Sequence, residues 1–97
     1  HVDTTAEVTG IEDRDGSWLV EFRHEEDPHH VTVRKGSITV NGVSLTVVDA
    51  RPNGFSVAII PYTWEHTGFH RMQVGDRVNL EFDVVGKYVA ALMARRS

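Results

Sequence analysis

Two hydroxyls stand two residues apart inside an apolar run, Ser44 and Thr46 within Val43-Ser44-Leu45-Thr46-Val47. Alternate residues of a strand share a face, so both side chains would point to one side of a sheet. Composition alone favours a solvent-facing strand side for such a pair. The alternative is a pair of hydrogen-bonding groups for a ligand that carries carbonyl and ring-nitrogen acceptors. Thr63, just past Pro61, poses the same choice between a helix-start hydroxyl and a pocket wall.

Other chemistries find little support. There are no cysteines, which removes disulfides, thiolate metal sites and a thiol nucleophile together. The six histidines fall at His1, His24, His29, His30, His66 and His70. No carboxylate or thiolate joins them at ligand spacing, so no metal site is expected. Lys35-Gly36-Ser37 lacks the spacing of a phosphate loop and reads as a turn. A net charge of −4 argues against a nucleic-acid module, which needs a basic stripe. No apolar run approaches the eighteen or so residues of a membrane span, and no signal-peptide pattern is present. The lack of cysteine is compatible with the cytosol. At 97 residues the chain has room for one domain.

The elements that must carry these groups read as strands. Val, Ile and Thr make up 27 positions, and β-branched side chains suit a pleated surface. Thr4 to Ile11 alternates loosely and ends in Glu12-Asp13-Arg14-Asp15-Gly16, a hairpin turn. Ser17 to Arg23 returns with Trp18, Val20 and Phe22 on one face. His24 to His30 is charged and interrupted by Pro28, so a solvent-exposed connection is expected. Ser37–Val40 and Val43–Asp49 flank Asn41-Gly42, the strongest short hairpin signal in the chain. Arg51-Pro52-Asn53-Gly54 turns into a strand from Phe55 to Ile60. Pro61 stops it and can open a short helix over Tyr62 to His66. Val74 to Arg77 turns into a last strand, Val78 to Val84. From Val85 to Arg96 the period becomes helical. Six short antiparallel strands hide their edges most economically by closing into a barrel.

The strings themselves carry a resemblance. Lys35-Gly36-Ser37-Ile38-Thr39-Val40-Asn41-Gly42-Val43-Ser44-Leu45-Thr46-Val47 is similar to the KGSIxVxGxSLTV signature of the riboflavin synthase family. Ile60-Pro61-Tyr62-Thr63-Trp64-Glu65-His66-Thr67 resembles its IPxTxExT stretch. Gly75 to Asp83, then Lys87-Tyr88-Val89, resembles its GDRVNLExD…KYV ending, and His1-Val2-Asp3 matches the end of a GHVD motif. The four blocks run in the family's order over nearly the whole chain. Three positions depart from it: Asn41 for the usual Asp, Thr67-Gly68-Phe69-His70 for Thr-Thr-Leu-Gly, and Trp64 for Leu or Arg.

That family resembles two tandem copies of one barrel, and these motifs are those of the C-terminal copy. The resemblance therefore implies a single lumazine-binding barrel over residues 1–97, half of a tandem-barrel enzyme. It implies an all-β, six-stranded antiparallel Greek-key barrel, with a short helix before the last strand and a C-terminal helix. The implied activity is that of a cytoplasmic transferase of riboflavin biosynthesis. It converts two molecules of 6,7-dimethyl-8-ribityllumazine into riboflavin and 5-amino-6-ribitylaminouracil, without a cofactor. The implied partner is the N-terminal barrel of a neighbouring subunit in a homo-oligomer. A non-catalytic lumazine or flavin carrier of the same superfamily is the alternative.

Residue by residue, the resemblance makes Ser44 and Thr46 partners of the heterocycle's polar edge, Ser44 also within the catalytic set. Leu45 would supply backbone, and Asp3, Thr4 and Thr5 main-chain groups of the first strand to the same ring. Ala58, Ile59, Ile60, Pro61, Tyr62 and Thr63 would line the far wall, with Lys35 near the ribityl chain. His1 is the candidate for acid–base work, since an imidazole exchanges its proton near neutral pH. A frayed terminal side chain is its other reading.

Overall fold

The computed structural model describes residues 2–83 and Leu92. Six strands run in sequence as β1 (Thr4–Asp13), β2 (Trp18–Arg23), β3 (Ser37–Val40), β4 (Val43–Arg51), β5 (Gly54–Ile59) and β6 (Arg77–Phe82). A helix α1 (Pro61–His66) and a 3-10 turn (Gly68–Arg71) fill the connection before β6. The strands close in the order β1-β2-β5-β4-β3-β6, every pair antiparallel. This is the expected six-stranded barrel with its short helix ahead of the last strand. The bounds shift slightly: β1 runs on to Asp13, while β5 and β6 end at Ile59 and Phe82. The helix expected from Val85 onward lies outside the described residues, apart from Leu92, which is exposed.

Period-two alternation decides what faces inward. Val20 and Phe22 of β2, Ile38 and Val40 of β3, Leu45 and Val47 of β4, and Leu80 and Phe82 of β6 are all buried. Most of their outward neighbours are polar, with Leu19 and Val48 as exceptions, as in a one-sided antiparallel sheet. Two register shifts, between Val8 and Gly10 on β1 and between Val47 and Asp49 on β4, add a residue to one strand against its partner. Such bulges bend and twist a strand, which helps six strands close into a ring. Gly54 is required by space: a Cβ there would sit 2.5 Å from the Phe22 carbonyl oxygen.

The β3–β4 hairpin turns as its sequence predicts. Asn41 (φ 49°) and Gly42 (φ 83°) both adopt left-handed backbone, the pairing a two-residue turn of this twist demands. Asn41 also locks the turn to β6. Its Oδ1 accepts from the Asn79 N–H at 2.8 Å, and its own N–H donates to the Asn79 carbonyl at 2.9 Å.

The connection from His24 to His30 departs from expectation. His24 is 5% exposed rather than solvated, its ring set against Phe55 and edge-on to Phe82. His30 stacks on Phe82 with centroids 4.9 Å apart. Charge and Pro28 keep the loop out of the sheet, yet two imidazoles are flat enough to pack on aromatic rings of the core. In the connection ahead of β6, Phe69 of the 3-10 turn is 2% exposed and joins the core. The divergent stretch Thr67–His70 thus contributes one core ring, Phe69.

Candidate functional site

Ser44 and Thr46 point outward from β4, and both are exposed. Leu45 between them is buried in the core, so it offers the outer wall only its main chain. The hairpin register sets Ser37 opposite Thr46 and Thr39 opposite Ser44. Four hydroxyls therefore lie as two facing pairs on one side of a two-stranded ribbon. Ser37 and Thr39 were not singled out from the sequence, although Asn41-Gly42 fixes this register and could have given them.

On its other side β4 pairs with β5. Val47 pairs with Val57 of β5, and Thr46 and Ala58 flank that pair at the same end of their strands. Ala58 is exposed, and its cross-strand neighbour on β2 is Leu19. Ile59 does not reach the outer wall; that side chain is fully buried in the core. Ile60, 59% exposed, and Pro61 continue the outward surface beyond β5. Lys35 lies beyond Ser37, held by its N–H to the Val47 carbonyl at 2.8 Å, with a positive φ of 69° and an exposed side chain.

Helix α1 supports this edge. Its first turn has Pro61 and no side-chain cap at Ile60, and six residues are too few to be stable alone. Packing holds it instead. Trp64 stacks on Trp18 with centroids 4.3 Å apart and planes 9° from parallel, both rings packed against the core. The bulky residue at the family's Leu or Arg position thus has its partner on β2. Thr63 is half-buried, and its carbonyl accepts from the Thr67 hydroxyl at 2.6 Å. Tyr62 is 69% exposed and stacks on His66 at 4.2 Å, while His66 Nδ1 donates to the Tyr62 carbonyl at 2.8 Å.

Asp3, Thr4 and Thr5 are not brought to the same place. In the closed ring β1 is three strands from β4 in either direction. Asp3 serves β6: its N–H donates to the Leu80 carbonyl and its Oδ2 accepts from the Phe82 N–H, both at 2.8 Å. Thr4 pairs with Leu80, and Thr5 accepts from Arg77 at 2.7 Å. Thr4 and Thr5 line a separate polar cleft of about 690 Å³ with Arg23 and Arg77. His1 lies outside the described residues. Among the described residues no three His, Asp or Glu side chains gather as a metal site would need.

A closed ring of six antiparallel strands, with facing hydroxyl pairs on the outer side of one hairpin, defines the class: a small all-β barrel domain. The sequence relatives make the class specific. Residues 1–83 match the family model of the lumazine binding domain, and the chain belongs to that family. It is 38% identical over 89 residues to riboflavin synthase of Bacillus subtilis (strain 168), covering 92% of this chain and 41% of the relative. It is 42% identical over 96 residues to riboflavin synthase of Mycobacterium bovis (strain ATCC BAA-935 / AF2122/97), covering 96% of this chain and 48% of the relative. Riboflavin synthase of Actinobacillus pleuropneumoniae is 36% identical over 96 residues, 99% of this chain and 45% of the relative. The chain thus spans less than half the length of these relatives.

Proposed function

We propose that this barrel binds 6,7-dimethyl-8-ribityllumazine on its outer wall and forms the C-terminal half of a riboflavin synthase. The observation that supports it most is the pair of exposed hydroxyls, Ser44 and Thr46, on a strand whose neighbour β5 leads through exposed Ala58 to Ile60 and Pro61. A pteridine-like ring is flat and apolar on its faces and polar along its edge. Ala58 and Ile60 would take a face, while the hydroxyls of Ser44 and Thr46 donate to edge carbonyls and ring nitrogens. Tyr62 and Thr63 would close the near end. Asp3, Thr4 and Thr5, on the far wall, would address the ligand's other end or a second ligand.

In this reading, one lumazine transfers a four-carbon unit to the other, so two identical substrates give riboflavin and 5-amino-6-ribitylaminouracil with every atom retained. The chemistry asks the protein to hold two heterocycles in register and to move protons. Holding reactants in a reactive geometry can supply much of the rate. His1 and Ser44 are the groups proposed to move protons, and the N-terminal barrel of a neighbouring subunit is proposed to present the second lumazine. The working form would be a cytoplasmic homo-oligomer.

Titrating the 97-residue chain into 6,7-dimethyl-8-ribityllumazine and following ligand fluorescence tests the binding step. A saturable change at micromolar protein is expected, with very weak riboflavin formation because half of each composite site is absent. No change at high micromolar protein would end the reading. Turnover as brisk as that of a complete enzyme would show that this barrel supplies both halves of the site.

A further inference from the structure

Across the closed ring from β4, three charged side chains stand in one row. Glu7 of β1 faces Arg23 of β2 on one side and Arg77 of β6 on the other. Their chain neighbours Ala6, Val8, Phe22 and Val78 are buried, so all three have outward parity. Adjacent strands lie about 4.8 Å apart, which makes the row about 10 Å long. Its two guanidiniums are unequally engaged. Arg23 lies 3.4 Å from the Glu7 carboxylate, whereas Arg77 donates to the Thr5 hydroxyl at 2.7 Å and has no ion pair among the described residues.

This row forms one end of the polar cleft of about 690 Å³. Because β2 runs antiparallel to β1, the chain leaving Arg23 heads toward the Thr5 and Thr4 end. It carries Glu25 and Glu26 into the lining, both exposed and without an ion pair among the described residues. The cleft thus has a guanidinium end and a carboxylate end. His24, also in its lining, is 5% exposed. Its Nδ1 donates to the Glu25 carbonyl at 2.8 Å, which leaves Nε2 as an acceptor, and that nitrogen is buried without a hydrogen-bond partner. Such a group asks for a donor.

Three carboxylates beside two guanidiniums disfavour a simple anion, and the guanidiniums disfavour a simple cation. A zwitterion matches both ends. A carboxylate accepts two parallel bonds from a guanidinium, and an ammonium donates three. Two to three residues of β1 separate the row from Thr5 and Thr4, about 7–10 Å. That exceeds the charge separation of one α-amino acid and suits the termini of an extended tripeptide. We propose that this cleft binds a short peptide with free termini, its carboxylate on Arg23 and Arg77 and its ammonium toward Glu25 and Glu26. The assignment does not depend on lumazine binding at β4.

Triglycine, N-acetyltriglycine and triglycine amide isolate the two charges. Each is titrated into the ¹⁵N-labelled 97-residue chain, Arg77→Gln and Glu26→Gln, with circular dichroism confirming that both variants are folded. Triglycine at millimolar concentration should shift the backbone amide signals of Glu7, Arg23, Glu25 and Arg77 saturably. Each capped peptide should bind about fivefold more weakly, the size of one charged contact partly open to water. Arg77→Gln should weaken triglycine about fivefold and leave triglycine amide within about twofold; Glu26→Gln should do the same with N-acetyltriglycine as the unaffected peptide. Three peptides equal within about twofold, no shift of those signals, or shifts confined to β4 would each overturn the assignment.

Discussion

The Trp18–Trp64 stack is expected to carry α1, and with it the edge of the proposed site. Trp64→Ala removes a ring that is partly buried against the core and stacked at 4.3 Å on Trp18. Full truncation of a buried Trp costs about 3–5 kcal/mol; with Trp64 only partly buried, about 2–3 kcal/mol is expected. For a domain near 100 residues each kcal/mol moves Tm by roughly 4–8 °C, so the midpoint should fall by about 10–20 °C. Urea unfolding followed by far-ultraviolet circular dichroism measures the loss directly. Trp18→Ala and the double variant complete a cycle that isolates the stack. Their coupling should be about 0.5–1.5 kcal/mol, the range for aromatic pairs. Variants additive within about 0.3 kcal/mol would show that the rings stabilise the fold independently, and the reasoning would fail. Because Ile60 to Thr63 lead into Trp64, Trp64→Ala should also weaken lumazine binding, while Trp64→Phe restores most of it.

Phe69→Ala should cost about 3–5 kcal/mol in the same unfolding assay, since a ring 2% exposed leaves a cavity at the barrel's end; a loss below about 1 kcal/mol would place that ring outside the core. Asn41→Asp keeps the acceptor for the Asn79 N–H and should stay within about 0.5 kcal/mol of the unaltered chain. Asn41→Ala loses that acceptor and places alanine at φ 49°, so a cost of about 1–2 kcal/mol is expected by urea unfolding. Ala58→Leu places a larger side chain at an exposed position of β5 and should weaken 6,7-dimethyl-8-ribityllumazine at least about tenfold by fluorescence titration while Tm stays within about 3 °C.

The sequence showed most clearly what is local. Asn41-Gly42 announced a hairpin, and the alternation of Val20 and Phe22, or of Leu80 and Phe82, announced which side faces the core. That Ser44 and Thr46 share a face followed from their spacing alone. Their environment did not, because it depends on β5, which brings Ala58 alongside through a bulged register. Where Asp3, Thr4 and Thr5 sit relative to Ser44 depends on ring order, which is set by long-range pairing that no short window contains. His24 and His30 looked like surface residues since their neighbours are charged, yet their rings find Phe55 and Phe82 from distant strands. Trp18 and Trp64 are likewise joined only by the closed fold.

The central claim is that the hydroxyl pair on the outer wall of β4 holds the ligand's polar edge. Fluorescence titration of 6,7-dimethyl-8-ribityllumazine against the unaltered chain, Ser44→Ala and Thr46→Val, with thermal melts alongside, tests it most directly. Both side chains are exposed, so Tm should hold within about 3 °C. Each lost hydroxyl should cost about 1–3 kcal/mol of binding, a rise in Kd of about five- to 150-fold. Unchanged affinity in both variants, beside saturable binding by the unaltered chain, would mean that these hydroxyls face only water and that the ligand sits elsewhere.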